Sequence, residues 1–367
     1  MNQFALSLAK EACDTLMRKF EAPMLPPVGH FHYHQGVFLS AMMHTYDLCK
    51  EEKYFDYAKA WIDSMIDSEG NITGYHSLES MDDMQPGILL FPIYARTGDE
   101  RYRKAIETLV KAFDVYPRLA CGGLWHKDVC PHQMWLDGLY MGGPLCAMYA
   151  NLTGETRFYD LPIQQALMME EKTKDSATGL WYHAYDDLRE MDWADPETGR
   201  SPEFWGRSMG WIPVALLDEL RYMPADYPGS EQLRRIIREM LEALARYQDE
   251  KTGLWYQVID KGDRPDNWLE TSCSCLYTAA IARAVRAGIL DEKYLDAARR
   301  GFEGVAAGLK RDENGLIVDH VCIGTGVGDY AHYIARPVSQ NDLHGVGAFG
   351  LMCCAVAECD VETSQEK

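Results

Sequence analysis

Two acidic segments, at residues 81–87 and 134–141, contain the side chains best suited to general acid–base chemistry. They read MDDMQPG and MWLDGLYM. Each lies at the beginning of an apolar stretch that has the period of an α-helix. These equivalent positions predict that Asp137 and a carboxyl group from the pair Asp82 and Asp83 project toward one mouth, where two carboxylates can divide the roles of acid and base. The apolar neighbours of Asp137 predict a raised carboxyl pKa. Alternatively, each acidic segment caps the helix that follows it.

A basic side chain lies between two tryptophans in the segment FWGRSMGW at 204–211. The guanidinium of Arg207 can bind a carboxylate through two parallel hydrogen bonds, while the rings of Trp205 and Trp211 pack on the face of a sugar. Arg207 therefore offers a local cation in an acidic chain. Alternatively, it forms an ion pair with a nearby acidic side chain, Asp195 or Glu203.

A turn followed by a tryptophan recurs along the chain and points to two histidines. Each copy lies after a polar helix and before the next apolar one, so the copies are expected to line one mouth of the fold. The tryptophans are interpreted mainly as core residues beneath a repeated turn. The polar side chains that follow them, His126 and His183, are the better site candidates. The copies are GLWH at 123–126, TGLWYH at 178–183, TGLWYQ at 252–257 and a weaker ENGLI at 313–317.

The sequence predicts neither a metal site nor a cofactor. His30, His32 and His34 alternate before the first apolar helix, which makes a metal site conceivable. The chain has no HExxH motif, no P-loop and no GxGxxG fingerprint. The glycine-rich segment GTGVGDY at 324–330 is interpreted as a flexible loop at the rim of the mouth.

Apolar helical stretches alternate with more polar ones six times along the chain. The apolar stretches begin near residues 36, 87, 142, 209, 273 and 347. The spacing leaves room in each copy for a helical hairpin and one added loop. The N-terminal helix is expected to partner the sixth apolar helix and close the ring. The pattern therefore predicts an all-α fold, an (α/α)6 barrel, that occupies residues 1–367 as one domain.

The composition excludes several classes of partner. Of 367 residues, 36 are Lys or Arg and 56 are Asp or Glu, so the formal net charge is −20. Such a field repels phosphate backbones and anionic lipid, so neither nucleic acid nor a membrane is expected as a partner. The N-terminus lacks a secretory pattern, and 11 scattered cysteines without a CxxC pair are typical of free thiols. A cytoplasmic location is expected, with the choice between monomer and homodimer left open.

Taken together and in this order, these motifs resemble those of the unsaturated rhamnogalacturonyl hydrolases of glycoside hydrolase family 105. That family is related to the unsaturated glucuronyl hydrolases of family 88. The resemblance spans most of the chain and is most specific in MWLDGLYM and WGRSMGW. It implies an (α/α)6 barrel, no required metal, and an unsaturated oligosaccharide as the binding partner. The implied reaction removes a 4,5-unsaturated uronic acid from the non-reducing end of an oligosaccharide produced by a lyase.

The resemblance also implies a role for each candidate residue. Asp137 donates a proton to C4 of the double bond and then acts as the base for the water that adds at C5. Asp82 holds sugar hydroxyls, and Asp83 supports the structure. The other implied substrate contacts are the polar groups of Arg207, His183 and His126 and an apolar wall of Trp135, Met141, Trp205 and Trp211.

Unsaturated galacturonate linked to rhamnose is the expected substrate. Two other enzymatic functions stay open: a family 88-type hydrolase acting on unsaturated glucuronyl groups, and a sugar epimerase or isomerase on the same fold. His126 and His183 would serve the epimerase. A non-catalytic sugar-binding ring is a further alternative.

Overall fold

The structure, a computed structural model that describes residues 2–359, is dominated by α-helices within that range. Most of the helices are between 13 and 17 residues long, the usual length for globular proteins. In chain order they are α1 Gln3–Lys19, α2 Tyr33–Cys49, α3 Glu52–Met65, α4 Leu90–Thr97, α5 Glu100–Ala112, α6 Asp137–Thr153, α7 Arg157–Thr173, α8 Gly206–Tyr222, α9 Ser230–Ala245, α10 Thr271–Arg286, α11 Leu295–Gly308, α12 Tyr330–Ile334 and α13 Leu343–Glu358.

Short strands and 3-10 turns lie in the loops between the helices. The strands pair antiparallel as β1 with β2, β3 with β4, and β5 with β6. The strands are β1 Gln133–Trp135, β2 Ala184–Asp186, β3 Lys310–Asp312, β4 Gly315–Ile317, β5 Val321–Cys322 and β6 Val338–Ser339, and the 3-10 turns are Ala22–Met24, Met81–Asp83, Gln85–Leu89, Ile259–Lys261 and Glu292–Tyr294.

Six helices form an inner ring, and six more surround them. The inner helices α2, α4 (through the 3-10 turn before it), α6, α8, α10 and α13 contact one another in that order, and α13 contacts α2 again. The outer helices are α3, α5, α7, α9, α11 and α1, and α1 packs against α13. The predicted (α/α)6 barrel and its closure by the N-terminal helix are therefore confirmed.

The residue pattern explains which helices lie inside. α13 is buried along almost its whole length, as expected for a helix surrounded by others. α9 instead buries one stripe that includes Leu233, Ile236 and Leu244, and it exposes the opposite face. A side-chain carbon at Gly347 would lie only 2.7 Å from the backbone nitrogen of Phe38, so glycine allows α13 to approach α2 closely.

Backbone hydrogen bonds tie the mouth loops to the starts of the inner helices. Met81 N donates to His126 O (2.9 Å), and Leu136 N donates to His183 O (3.0 Å). Gly206 N donates to the carbonyl of Gln257 at 2.9 Å in the same way. In these three cases the loop after an outer helix is fixed to the start of a neighbouring inner helix or to the loop before it. Side chains from distant parts of the sequence are held side by side at one mouth.

Within residues 2–359, no helix has the length and apolar run needed to cross a membrane.

Glu219 is a carboxyl group buried in the helical core. It lies on α8, and neither carboxylate oxygen has a hydrogen-bond partner among the described residues. Burial, and to a smaller extent the charge of Asp218, raise the pKa of Glu219 well above its usual range. The folded structure therefore disfavours the charged form of Glu219.

We expect Glu219→Gln to raise the midpoint of thermal unfolding, Tm, at about pH 8 and to have a smaller effect near pH 5. A carboxyl whose pKa is higher in the folded state contributes its stability at low pH. That contribution is lost as the pH rises toward the folded-state pKa. Calorimetry at both pH values measures the difference, with the exposed Glu231→Gln as the control. A Tm difference that is the same at both pH values would contradict the raised pKa of Glu219.

Candidate active site

Asp137 lies in the first turn of α6 and is held by a histidine from the loop after α7. Its Oδ2 atom is 3.1 Å from Nε2 of His183, and His183 Nδ1 is 2.7 Å from the hydroxyl of Tyr333. The backbone N–H of Gly328 donates to that hydroxyl at 3.3 Å. The O–H of Tyr333 is therefore assigned as the donor to His183 Nδ1. The imidazole then carries its own proton on Nε2 and donates it to Asp137. This series of hydrogen bonds fixes the orientation of the Asp137 carboxylate.

The pKa of Asp137 differs from the sequence-based expectation. Burial raises this pKa, as its apolar neighbours predict, but the hydrogen bond from His183 and the charges of His183 and His126 outweigh burial. The net pKa of Asp137 is lowered. The expected increase was therefore wrong for the free enzyme, because the decisive neighbour is about 46 residues away in the sequence.

Asp82 lies on the 3-10 turn Met81–Asp83 and is surrounded by basic groups. Its side chain is 5% exposed. Lys127 Nζ lies 2.6 Å from one carboxylate oxygen, and the Nε2 atoms of His126 and His32 lie at 3.6 and 3.7 Å. Although burial acts to raise the pKa of Asp82, Lys127 and the two histidines lower it far below its usual value. Asp82 is therefore a fixed negative charge in this site.

Two neighbours of Asp82, His126 and Lys127, have pKa values shifted in opposite directions. Burial lowers the pKa of His126 to about 4 despite the charge of Asp82, so the imidazole is neutral at pH 7. Burial also acts to lower the pKa of Lys127, but the charge of Asp82 and its hydrogen bond raise it overall. The pair of Lys127 and Asp82 is thus ionised, and the side chain of Lys127 is 28% exposed.

Five rings form a continuous row across the mouth. His126 stacks on Trp135 with ring centres 4.5 Å apart, and Trp135 meets His183 edge-on at 5.5 Å. His183 then contacts Trp205 at 4.7 Å, and Trp205 stacks on Tyr333 at 5.9 Å. The row brings together four of the candidate residues from the sequence, and it forms the apolar side of the site around Asp137.

Arg207 is buried and holds the glycine-rich loop. Its Nη1 donates to the carbonyl of Cys322 at 2.5 Å and its Nη2 to that of Ile323 at 2.9 Å, and the guanidinium lies 4.6 Å from the centre of the Trp205 ring. Neither alternative ion pair, with Asp195 or Glu203, is formed in the described part of the chain. Glu203 instead pairs with Lys261.

The segment at 324–330 is anchored at several points. Arg207 holds the two residues directly before the segment, Arg336 donates to Gly324 O at 2.5 Å, and Gly328 N donates to the hydroxyl of Tyr333. Asp329 caps α12 by accepting from His332 N at 2.8 Å. The sequence suggested a flexible rim, whereas these contacts fix the segment beside Tyr333.

Met141 and Trp211 lie deeper in the barrel than the other candidates. Met141 is 1% exposed and belongs to the hydrophobic core. Trp211 is fully buried and stacks on Tyr140 with ring centres 4.6 Å apart. Neither side chain takes part in the ring row or the carboxylate contacts of the described site, so their proposed contact with substrate stays a prediction.

Sequence reasoning missed several residues that surround the two carboxylates. Lys127 lies within the GLWHK segment. Its position directly after the candidate His126 could have indicated that it belongs to the site. His32 belonged to the alternating histidines but had no assigned partner. Tyr33, at the start of α2, is buried near the charges of Arg207, Asp82 and Asp137. Tyr333 had no signal, since its contact with His183 spans 150 residues.

Two cavities flank the barrel in different places. One of about 410 Å³ is lined by Ser40, His44, Met148 and Arg221, which lie toward the C-terminal ends of inner helices. It is therefore at the end opposite Asp137. Another of about 320 Å³ is lined by residues that include Trp135, and it lies beside the ring row. The second cavity meets the ring row at Trp135, and its lining includes neither Asp82 nor Asp137.

The comparisons with known proteins point to one family. The family model described as Glycosyl Hydrolase Family 88 matches residues 8–359. A solved structure of a family 105 glycoside hydrolase from C. acetobutylicum is 34% identical, with a TM-score of 0.91 over 95% of this chain and 99% of that one. Unsaturated rhamnogalacturonyl hydrolase YesR of Bacillus subtilis is 28% identical over 299 residues, which are 80% of this chain and 79% of YesR.

A more distant structure shares the fold. The unsaturated glucuronyl hydrolase from Bacillus sp. GL1 is 16% identical, with a TM-score of 0.73 over 98% of this chain and 97% of that one.

Proposed function

Because the chain belongs to glycosyl hydrolase family 88, with family 105 enzymes among its similar structures, we propose that it removes 4,5-unsaturated galacturonate from rhamnose. The bond cleaved lies at the non-reducing end of oligosaccharides that a lyase has produced. The observation that carries the proposal is the pairing of Asp137 with His183 beside a second, ionised carboxylate. The name of the relative YesR supports rhamnose as the adjoining sugar.

The proposed reaction is hydration of an enol ether. Protonated Asp137 transfers its proton to C4 of the C4=C5 double bond, and positive charge develops at C5 and the ring oxygen. Water adds at C5 and gives its proton to the Asp137 carboxylate. The resulting hemiketal opens to a ketone at C5, and the hemiacetal left at C1 releases the next sugar. One carboxyl group thus serves as acid and then as base.

The surroundings of Asp137 suit this double role. His183 keeps the carboxylate oriented, and the N-terminus of α6 favours its charged form after proton transfer. When the uronate of the substrate binds, its negative charge and the loss of water raise the pKa of Asp137 toward the protonated form. Asp82, held as an anion by Lys127, accepts hydrogen bonds from sugar hydroxyls and positions the ring.

A panel of unsaturated disaccharides tests the substrate. We expect the ultraviolet absorbance of the conjugated double bond to disappear fastest with unsaturated galacturonyl-rhamnose. Unsaturated glucuronyl disaccharides from glycosaminoglycans are the comparison, and preference for them would replace the proposed substrate. Solvent hydrogen exchange into an intact sugar, with no cleavage, would instead indicate an epimerase.

We expect kcat/KM to fall as the pH rises from about 3 to 7, because the free enzyme must carry a proton on Asp137 and the pKa of that carboxyl lies below its usual value. His183 lowers the pKa of Asp137, so His183→Leu should raise that pKa and move the fall in kcat/KM to higher pH. Initial rates across this pH range measure both curves. His320→Asn changes an exposed histidine and serves as the control. A His183→Leu curve that is lower in height but unmoved along the pH axis would contradict the proton-donor assignment.

We also propose that the protein works in a reducing cytoplasm and that its chain forms one domain. Cys146, Cys273 and Cys353 are buried as thiols, and burial raises the pKa of each well above its usual value. Such groups are unreactive core residues.

A further inference from the structure

The cavity of about 320 Å³ beside the ring row takes no part in the proposed proton transfers. The ribbon of β1 and β2 connects it to the candidate active site. At one end of the ribbon Trp135 pairs with Ala184, two residues before Asp137. At the other end Gln133 pairs with Asp186, and both residues line the cavity. Two residues of extended strand span about 7 Å, so the two ends are separated by roughly the length of one sugar.

Trp135 joins the cavity to both carboxylates. Its ring stacks on His126, whose Nε2 lies 3.6 Å from Asp82, and it meets the ring of His183, which contacts Asp137. The same tryptophan lines the cavity. The proposed reaction acts on the non-reducing end of an oligosaccharide, so that end lies at the carboxylates and the remaining sugars extend out of the mouth. The cavity is therefore adjacent to the leaving part of a bound substrate.

Exposed apolar side chains gather around this cavity. Within residues 2–359, eight large apolar side chains are exposed, and three of them line it: Val129 (78% exposed), Leu188 (49%) and Met191 (41%). Single exposed apolar residues are common on protein surfaces, whereas a group around one cavity is typical of a binding surface. Trp193 adds a half-buried aromatic side chain to the same lining.

A buried carboxylate holds the loop that carries Leu188 and Met191. Asp186 is 2% exposed, and its oxygens accept the backbone N–H groups of Leu188, Glu190 and Met191 at 3.1, 2.9 and 3.0 Å. A loop that is already fixed loses little conformational entropy when a ligand binds. The apolar surface is therefore preorganised.

The charge of the lining disfavours an acidic ligand. No lysine or arginine is among the described residues that line the cavity, whereas Glu190 contributes a carboxylate. Arg189 lies in the same loop but outside the lining. A second uronate or a sulfate group would be repelled here. A neutral sugar with an apolar face fits, and a 6-deoxy sugar presents a methyl group where other hexoses carry a hydroxymethyl group.

We propose that this cavity binds the leaving sugar and selects a neutral deoxy sugar over a second uronate. The proposal rests on the proposed function, because it assigns the leaving side of the same substrate. Leu188, Met191 and Trp193 supply the apolar contacts, and Glu190 repels an acidic sugar. The lyase that supplies the substrate must then leave the unsaturated uronate directly before a neutral sugar.

Three substrates that share the unsaturated galacturonate test the cavity: the methyl glycoside, the rhamnose conjugate and the galacturonate conjugate. The methyl glycoside does not reach the cavity, so its kcat/KM measures the reaction alone. In the wild type we expect kcat/KM to be highest for the rhamnose conjugate. Met191→Lys should lower that value about fivefold or more and raise the value for the galacturonate conjugate about fivefold at low salt.

Leu152→Lys is the matched control. Leu152 is 42% exposed and lies at the opposite end of the barrel, so this variant should match the wild type with all three substrates. Leu188→Ala adds no charge and should lower kcat/KM for the rhamnose conjugate alone.

The methyl glycoside separates failure of the cavity proposal from failure of the proposed function. Hydrolysis of this substrate with no preference between the two conjugates overturns the cavity proposal and leaves the reaction intact. Equal changes for all three substrates in Met191→Lys and Leu188→Ala, or no change in either variant, also overturn it. If the wild type hydrolyses none of the three, the proposed function fails, and the assignment of a leaving sugar fails with it.

Discussion

Asp137→Asn is expected to lower kcat by about 10³-fold or more while it leaves Tm nearly unchanged. The amide cannot give a proton to C4 or take one from water, so both steps of the proposed reaction fail. Asparagine has the same shape and still accepts the hydrogen bond from His183 Nε2–H. Loss of double-bond absorbance measures the rate, and calorimetry measures Tm.

Asp83→Asn is the matched control for this substitution. Asp83 follows Asp82 directly, and burial together with the charge of Asp82 raises its pKa to about 7. It therefore resembles a candidate acid by its pKa alone, but the proposed reaction gives it no role. If Asp83→Asn reduced kcat as much as Asp137→Asn, or if Asp137→Asn kept near-normal turnover, the assignment of the proton donor would fall.

Asp82→Asn is expected to lower both activity and stability. The substitution removes the anion that holds Lys127, and the ammonium group then stays in a largely buried site without its partner. We expect kcat/KM to fall by about 10²-fold or more, since the sugar loses its positioning acceptor, and Tm to fall as well. This contrasts with Asp137→Asn, in which only the activity changes.

A double-mutant cycle with Lys127→Met separates the two effects. If the ion pair is the source of the stability loss, the double variant should lose less stability than the sum of the losses in Asp82→Asn and Lys127→Met. The difference, which is the coupling free energy, should be about 1–3 kcal/mol. Its activity should stay low, because the carboxylate is still missing. Additive stability changes would show that Asp82 and Lys127 act independently, and recovery of activity in the double variant would remove Asp82 from the site.

The fold could be predicted from local patterns. Helical periodicity and the six apolar stretches depend on near neighbours in the chain, and the hairpins they specify have few ways to bury their apolar faces together. The equivalent positions of Asp82 and Asp137 followed from the same repeat. Their meeting at one mouth required no information beyond the order of the elements.

The electrostatic character of the site could not be predicted in this way. The pKa of Asp137 was expected to rise from its sequence neighbours, yet His183 from another hairpin lowers it. The contacts of Arg207 with the carbonyls of Cys322 and Ile323, more than 100 residues away, had no signal in the sequence, and its expected contact with an anionic substrate stays a prediction. Charge effects at short range depend on which loops are adjacent, and loop packing has no periodic signal.

The sequence by itself determined the ring of six hairpins, the family resemblance and the two carboxylates. The tertiary structure decided how each carboxylate is used: Asp82 is fixed as an anion by Lys127, and Asp137 is oriented by His183 and Tyr333. The physical reason is the difference in range. Helix periodicity arises from contacts a few residues apart, whereas protonation and orientation are set by atoms a few ångströms away, whatever their distance along the chain.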